Sequence, residues 1–358
     1  MTKLKEHKPS KMEALKAMTP ADRRRAIFDG IMNNAMFIII ALVIIYVAIK
    51  NPRFLSIPSL VNIISLTAAK LPIALGVGGC IILAGTDISA GRQVGLAACI
   101  SAGLQLTTNK LFPGLQIMPI PVVLLCVLVA CALVGFVNGF FMAKFKLHPF
   151  IVTLSTQLIV YGLVLLFMQL GTNGGQTLSG MSQTYRDFII KPLFTLQTNS
   201  GPVTVPRYVL YSTIITFIVW VIWNKTAFGK NMYAVGSNEE AANVSGVNVS
   251  KTIILVFVMA GMLYGITGFM DAARISSVNA TTGLNYEADA IAACVIGGIS
   301  FVGGIGKVSG AIIGVLLLQI IFAGLNFLSV DANYLYIVKG LIILIACSID
   351  MRKYLVRK

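Results

Sequence analysis

Charge is scarce in this chain. Only 11% of its residues are charged, 57% are hydrophobic and the mean hydropathy is +0.86, a balance that excludes an ordinary soluble globular domain. Histidine is scarcer still. His7 and His148 are the only two, so a histidine-based catalytic or metal site has nothing to stand on. Cys80, Cys99, Cys126, Cys131, Cys294 and Cys347 all lie in apolar runs without metal-ligand spacing. They read as small core residues and not as a disulfide framework. No Ser/His/Asp or Cys/His constellation is visible, so an enzyme is not expected and no cofactor is expected in this chain. A nucleotide site is missing too. Gly306-Lys307 has a superficial likeness to a P-loop, but Phe301 stands where the first glycine belongs and Val308 replaces the Ser/Thr.

What is present is a series of apolar segments of about 20 residues, the length that crosses a bilayer. The fold class expected is an all-α polytopic membrane protein of about ten transmembrane helices, some of them broken. The spans are placed at about 31–49, 59–85, 93–109, 118–142, 150–169, 207–223, 251–270, 288–305, 309–328 and 334–349. Lys70 and Pro72 interrupt the second span and suggest a break there. The net charge of +15 (28 basic minus 13 acidic) sits largely in tails and short connections, as the positive-inside rule describes, and does not indicate nucleic acid. Residues 1–30 form a basic tail with Lys3, Lys5, Lys8, Lys11, Lys16 and Arg23-Arg24-Arg25, and 351–358 form a second. The first 18 residues carry no long apolar run, so a cleavable signal peptide is not expected. Thr19-Pro20 resembles a helix start. The membrane-spanning body is 31–350, with both termini on the cytoplasmic side. The polar connection 224–250 falls on that same side, and 170–206, rich in Gly, Ser, Thr and Gln, on the other. Gly91/Gly95, Gly135/Gly139, Gly261/Gly265 and Gly310/Gly314 stand at small-xxx-small spacing and favour close helix contacts.

Asp87 is the one acid between Asp29 and Asp187. A lone carboxylate there needs pairing or solvation, with Arg92 and Lys70 as candidate partners. It is either a gate near the mouth of a pathway or a helix cap neutralised at the interface. The glycine-rich stretch Cys294–Lys307 echoes the Asp87 region through an Ile-Ser step and a following helix, as an internal repeat would. Pro149–Leu154 opens the fifth span after a basic turn and places Phe150 beside the same mouth. Asp271/Arg274 and Glu287/Asp289 read as solvated interfacial charges or as contacts for an external partner.

The polar island Asn224–Ser250 organises the rest. Ser237-Asn238-Glu239-Glu240 reads as a capping box, with Ser237 as cap, Glu239 and Glu240 in the first turn, and Gly246 ending a helix of two or three turns. Glu240-Ala241-Ala242-x-x-x-Gly246 resembles the EAA loop of bacterial ABC importer permeases. Together with Gly85–Gly91, Pro149–Leu154, Phe228-Gly229-Lys230 and Ala292–Gly304, it makes the chain similar to the sugar-importing ribose/xylose/galactose group over about 31–350. GTDISAGRQVGLAA, WNKTAFGKN and YEADAIAACVIGG look characteristic of the galactose/methyl-galactoside subgroup. Ser155 departs from the group's frequent glycine. The resemblance implies a homodimeric permease in the bacterial inner membrane and an extracytoplasmic sugar-binding protein. It also implies a separate ATPase subunit that binds ATP and Mg and docks against Ser237, Glu239, Glu240, Ala241, Ala242 and Gly246. Ribose, xylose or a nucleoside is the near alternative as cargo. An ion-coupled transporter or channel is the alternative of a different class, and would turn on Asp87 and Lys70.

Overall fold

The computed structural model describes residues 19, 35–171, 174–198 and 201–355. The basic tail and its capped start at Thr19-Pro20, the beginning of the first span and the last basic residues lie largely outside them. Thirteen α-helices are present among the described residues. They are α1 (Ala35–Lys50), α2 (Ile57–Ile82), α3 (Ala90–Gln105), α4 (Ile120–Phe145), α5 (Pro149–Met168), α6 (Gln183–Ile190) and α7 (Arg207–Lys225). After these come α8 (Ala227–Ser237), α9 (Glu239–Val244), α10 (Val249–Ile275), α11 (Tyr286–Ile296), α12 (Val308–Phe327) and α13 (Ala332–Leu355). Six of them, α2, α4, α5, α7, α10 and α12, are long and apolar enough to cross a membrane. Of the other four expected spans, α1, α3 and α13 fall on 31–49, 93–109 and 334–349, with 16, 16 and 24 residues, and 288–305 is an 11-residue helix followed by a non-helical loop.

Two helices form the centre. α2 and α10 bury two thirds of their most apolar window, whereas α4 buries 22% and leaves Leu125, Val129, Leu133 and Phe136 exposed, the surface lipid would cover. The expected break at Lys70/Pro72 does not occur. α2 runs unbroken through Pro72 for 26 residues, since packing on neighbours compensates for the one backbone bond that a proline removes. The small-residue pairs mark the closest approaches. A Cβ on Gly135 would strike the Phe257 carbonyl, and one on Gly261 the Cys131 carbonyl, so α4 and α10 meet glycine face to glycine face. Gly310 and Gly314 do the same for α12 against Gly297 and Ala293 of α11.

The bundle has two distinct ends. At one, the expected polar loop 170–206 carries structure. β1 (Leu178–Ser179) pairs antiparallel with β4 (Ser277–Val278), α6 is capped by Ser182, and β2 (Pro192–Thr198) pairs with β3 (Gly201–Pro206) as a hairpin. The buried Tyr185 hydroxyl donates to the Phe269 carbonyl and fastens α6 to α10. At the other end lie the turn 146–148 and the short helices α8 and α9.

Candidate functional site

The second end is built from capped helix termini. Thr226, Asn238 and Asn248 cap α8, α9 and α10 in turn, with side-chain oxygens accepting from the N–H groups of Gly229 (3.2 Å), Ala241 (2.8 Å) and Lys251 (2.9 Å). The expected capping box is therefore corrected. Ser237 is the last residue of α8 and Asn238 is the cap. Its extended backbone (φ −162°) suits a cap, and asparagine ranks with serine there. α9 is also shorter than expected, at six residues. Gly246 ends it as anticipated, at φ +84°, and the N–H groups of Gly246 and Val247 bond to the carbonyls of Asn243 and Ala242. This is a complete Schellman motif.

The face that α9 presents is specific. Ala242 is buried against the bundle, while Glu239, Glu240, Ala241 and Val244 point outward, Val244 at 89% exposure. A six-residue helix does not hold itself together in water, so its backing matters. The Lys146 ammonium pairs with the Glu239 carboxylate and ties α9 to the turn between α4 and α5. On the other side, Gly236 lies directly against the Ile82 carbonyl and the Gly304 backbone, and Gly304 N–H donates to that same Ile82 carbonyl (2.7 Å). Tyr233 donates to the Gly306 carbonyl (3.0 Å). The helix pair α8–α9 is thus keyed into both breaks of the bundle, Leu83–Ser89 after α2 and Gly297–Lys307 after α11. A cleft of about 410 Å³ opens between Ala84, Gly85, Lys146, His148, Ser237 and Asn238.

The two breaks have the same backbone form. After α2, Ala84 (φ +59°) and Gly85 donate to the carbonyls of Ile81 and Cys80. After α11, Gly298 (φ +83°) and Ile299 donate to those of Val295 and Cys294. The echo expected from an Ile-Ser step is therefore real in the helix ends, but its register is set by Cys80/Cys294 and not by Ile88/Ile299.

Beyond the first break lies a polar cluster. Asp87 is fully buried, and its Oδ1 accepts from the backbone N–H (2.9 Å) and hydroxyl (2.6 Å) of Ser89. Ser89 Oγ in turn accepts from Gln93 Nε2 (2.9 Å) and Asn138 Nδ2 (3.1 Å). Neither expected cation pairs with Asp87. Arg92 donates to the Ala280 carbonyl (3.1 Å) and covers the Tyr161 ring, and Lys70 lies over the Tyr286 ring, 3.7 Å from Asp271. Helix periodicity turns both away from the break. Phe150 is half-exposed on the outside of α5 and joins neither group. Instead Thr153, one turn further along, meets the Thr86 carbonyl (3.3 Å).

The charges expected to be solvated form a second buried cluster. Asp271 is fully buried between Arg274 (2.8 Å) and Lys70, which ties α10 to α2, and Lys339 pairs with Asp289 (2.9 Å), which ties α13 to α11. Sequence reasoning missed this network. The available signal was the spacing Asp271/Arg274, which places both on one helix face.

Residues 59–347 match the family profile described as branched-chain amino acid transport system / permease component. The chain belongs to that family. It is a multi-pass membrane transport subunit, not an enzyme. Among its relatives, the galactose/methyl galactoside import permease protein MglC of Haemophilus influenzae is 41% identical over 334 residues, covering 92% of this chain and 97% of the relative. The Escherichia coli K12 protein of the same name is 38% identical over 338 residues (94% and 98%). The ribose import permease protein RbsC of Bacillus subtilis is 32% identical over 333 residues (93% and 97%). No solved structure matches the chain. The permease thus shares nearly its whole length with sugar importers, and the keyed α8–α9 pair lies within the matched region.

Proposed function

We propose that the chain is the membrane-spanning subunit of an ATP-driven importer for galactose and methyl galactosides. The observation that carries the coupling role is α9 itself, a six-residue capped helix with an 89% exposed valine at its tip. An apolar side chain standing free on a short helix is built for a groove in a partner. The partner is a separate ATPase that binds ATP and Mg, and α9 docks into it through Glu239, Glu240, Ala241 and Val244. Ala242 holds the helix against the bundle, and Gly246 ends it. When the ATPase dimer closes, α9 moves with it, and the junction of Gly236 with Ile82 and Gly304 passes that motion to both breaks. The end carrying α9 is cytoplasmic, as are both termini. The hairpin end faces an extracytoplasmic binding protein that supplies most of the sugar selectivity. The functional unit is a homodimer in the bacterial inner membrane, with 31–350 as the transport domain, 224–250 as its coupling loop, 170–206 outside, and 1–30 and 351–358 as basic tails. Asp87 belongs to the moving parts around the first break, whereas Arg92 and Lys70 face away from it into the fixed parts of the bundle. Phe150, on the outer surface of α5, faces lipid or the second copy.

The cargo follows the relatives. Those with galactose in their names are 38–41% identical and those with ribose 32–33%, which favours galactose and keeps ribose as the second reading. Uptake of labelled galactose and ribose into vesicles holding the permease, its ATPase and its binding protein tests both. Galactose uptake that needs all three proteins and ATP is the expected result. Uptake by the permease alone, driven by an ion gradient, overturns the proposal.

A further inference from the structure

The hydrogen bonds around Asp87 are lopsided. Oδ1 receives two donors, the N–H and O–H of Ser89, while Oδ2 receives none although it is fully buried. An oxygen of either the charged or the neutral carboxyl accepts about two hydrogen bonds, so Oδ1 is saturated and Oδ2 is the atom left open. Ser89 has one hydroxyl proton, and it is committed to Asp87. Gln93 and Asn138, both bonded to Ser89 Oγ, must therefore present their amide nitrogens to it. That fixes their orientation and leaves Gln93 Oε1 and Asn138 Oδ1 without donors. The cluster consequently holds three unpaired oxygens, all on groups whose other polar atom is already bonded. With a charged carboxylate all three are acceptors, and the Tyr264 hydroxyl facing Asp87 has only one proton to offer them.

Nor does anything neutralise the charge. None of the ion pairs among the described residues includes Asp87. The titratable groups facing it are Cys80 from α2, Tyr264 from α10 and, further off, Glu287 from α11. Cys80 and Tyr264 lie 3.9 Å apart and share the contact. A carboxylate buried without a counter-charge is far more costly than a neutral acid in the same place.

We propose that Asp87 carries a proton on Oδ2 and acts as an uncharged positioning residue that pins the break after α2 to α3, α4 and α10. The proton turns one unpaired acceptor into a donor, with the Tyr264 hydroxyl as the acceptor beside it. It leaves every observed bond in place. The segment Leu83–Ser89 can then shift during transport without moving a charge through the apolar interior. The assignment rests on bond geometry and is independent of the cargo and of the ATPase.

Infrared difference spectroscopy of the purified permease in lipid nanodiscs at neutral pH tests it. The expected result is a protonated-carboxyl C=O stretch in the wild type that is lost in Asp87→Asn. Glu287→Gln, which removes the other largely buried carboxyl without an ion pair among the described residues, is expected to leave it unchanged. This second variant keeps the assignment testable if Asp87→Asn fails to accumulate. No such band in the wild type, a band that survives Asp87→Asn, or one that disappears in Glu287→Gln overturns the proposal.

Discussion

Two buried polar clusters in this bundle solve the same problem in opposite ways. Around Asp271 the solution is ionic, with five charged side chains from α2, α10, α11 and α13 arranged as pairs. Around Asp87 there is no ion pair among the described residues, and the carboxyl is held by Ser89, whose hydroxyl oxygen in turn accepts from Gln93 and Asn138. The ionic cluster joins α2 to α10 and α11 to α13 within their helical stretches. The uncharged one sits where the chain leaves a helix and enters the next, beside the junction with α8. Strong, directional ion pairs suit a fixed wall, since breaking one leaves a buried charge unpaired. Hydrogen bonds between neutral groups exchange at lower cost, which suits a part that moves.

That contrast is sharpest at Asp271. Asp271→Ala leaves Lys70 and Arg274 without their shared partner, and the expected cost is about 3–5 kcal/mol. It should appear as a large fall in the thermal unfolding midpoint in detergent. Adding Lys70→Met should recover part of it, because the orphaned charge goes. If Asp271→Ala unfolds at the wild-type temperature, the cluster is not the fixed wall described.

The next largest effect belongs to the moving side. Gly236→Val drives a branched side chain into the Ile82 carbonyl and the Gly304 backbone, and overpacking of this kind costs about 1–3 kcal/mol. The expected phenotype is ATP hydrolysis that continues while uptake falls, measured in vesicles with the assembled importer. Uptake and hydrolysis falling together would mean that the junction supports folding only.

Much of this was legible in the residues. Apolar run lengths located the long helices to within a few positions, and the four glycine pairs named real close approaches. Gly246 was recognisable because a helix end followed by polar residues calls for the left-handed conformation. The partners of Asp87 and Lys70 were not legible. Both were assigned from proximity along the chain, whereas helical rotation decides which side chains face each other, and Tyr286 and Asp271 lie some 200 residues from Lys70. The cap was misplaced by one position because Ser237 and Asn238 are equally good caps. Gly236 in contact with Ile82 extends α8 one residue further than the serine alone implies.

That one-residue question can be settled directly. Asn238→Ala removes the acceptor for the Ala241 N–H and should destabilise α9 by about 1 kcal/mol, raising amide exchange at residues 239–244. Ser237→Ala should leave that exchange unchanged. The reverse outcome would restore Ser237 as the cap.

The smallest expected effect concerns the tie between Lys146 and Glu239. Both side chains are more than 45% exposed, 63% and 49%, so the pair contributes below about 1 kcal/mol and weakens with salt. Its value is positional. Lys146 sits in a left-handed conformation (φ +53°) at the end of α4, in the turn leading into α5, whose Thr153 meets the Thr86 carbonyl, so the pair links α9 to the first break by a second route. Lys146→Glu should lower the ratio of uptake to ATP hydrolysis modestly and leave the unfolding midpoint nearly unchanged. Combining it with Glu239→Lys should restore the ratio at low ionic strength and less so at high. Failure of the double exchange to restore it would leave the Gly236 junction as the sole mechanical connection between α9 and the region of Asp87.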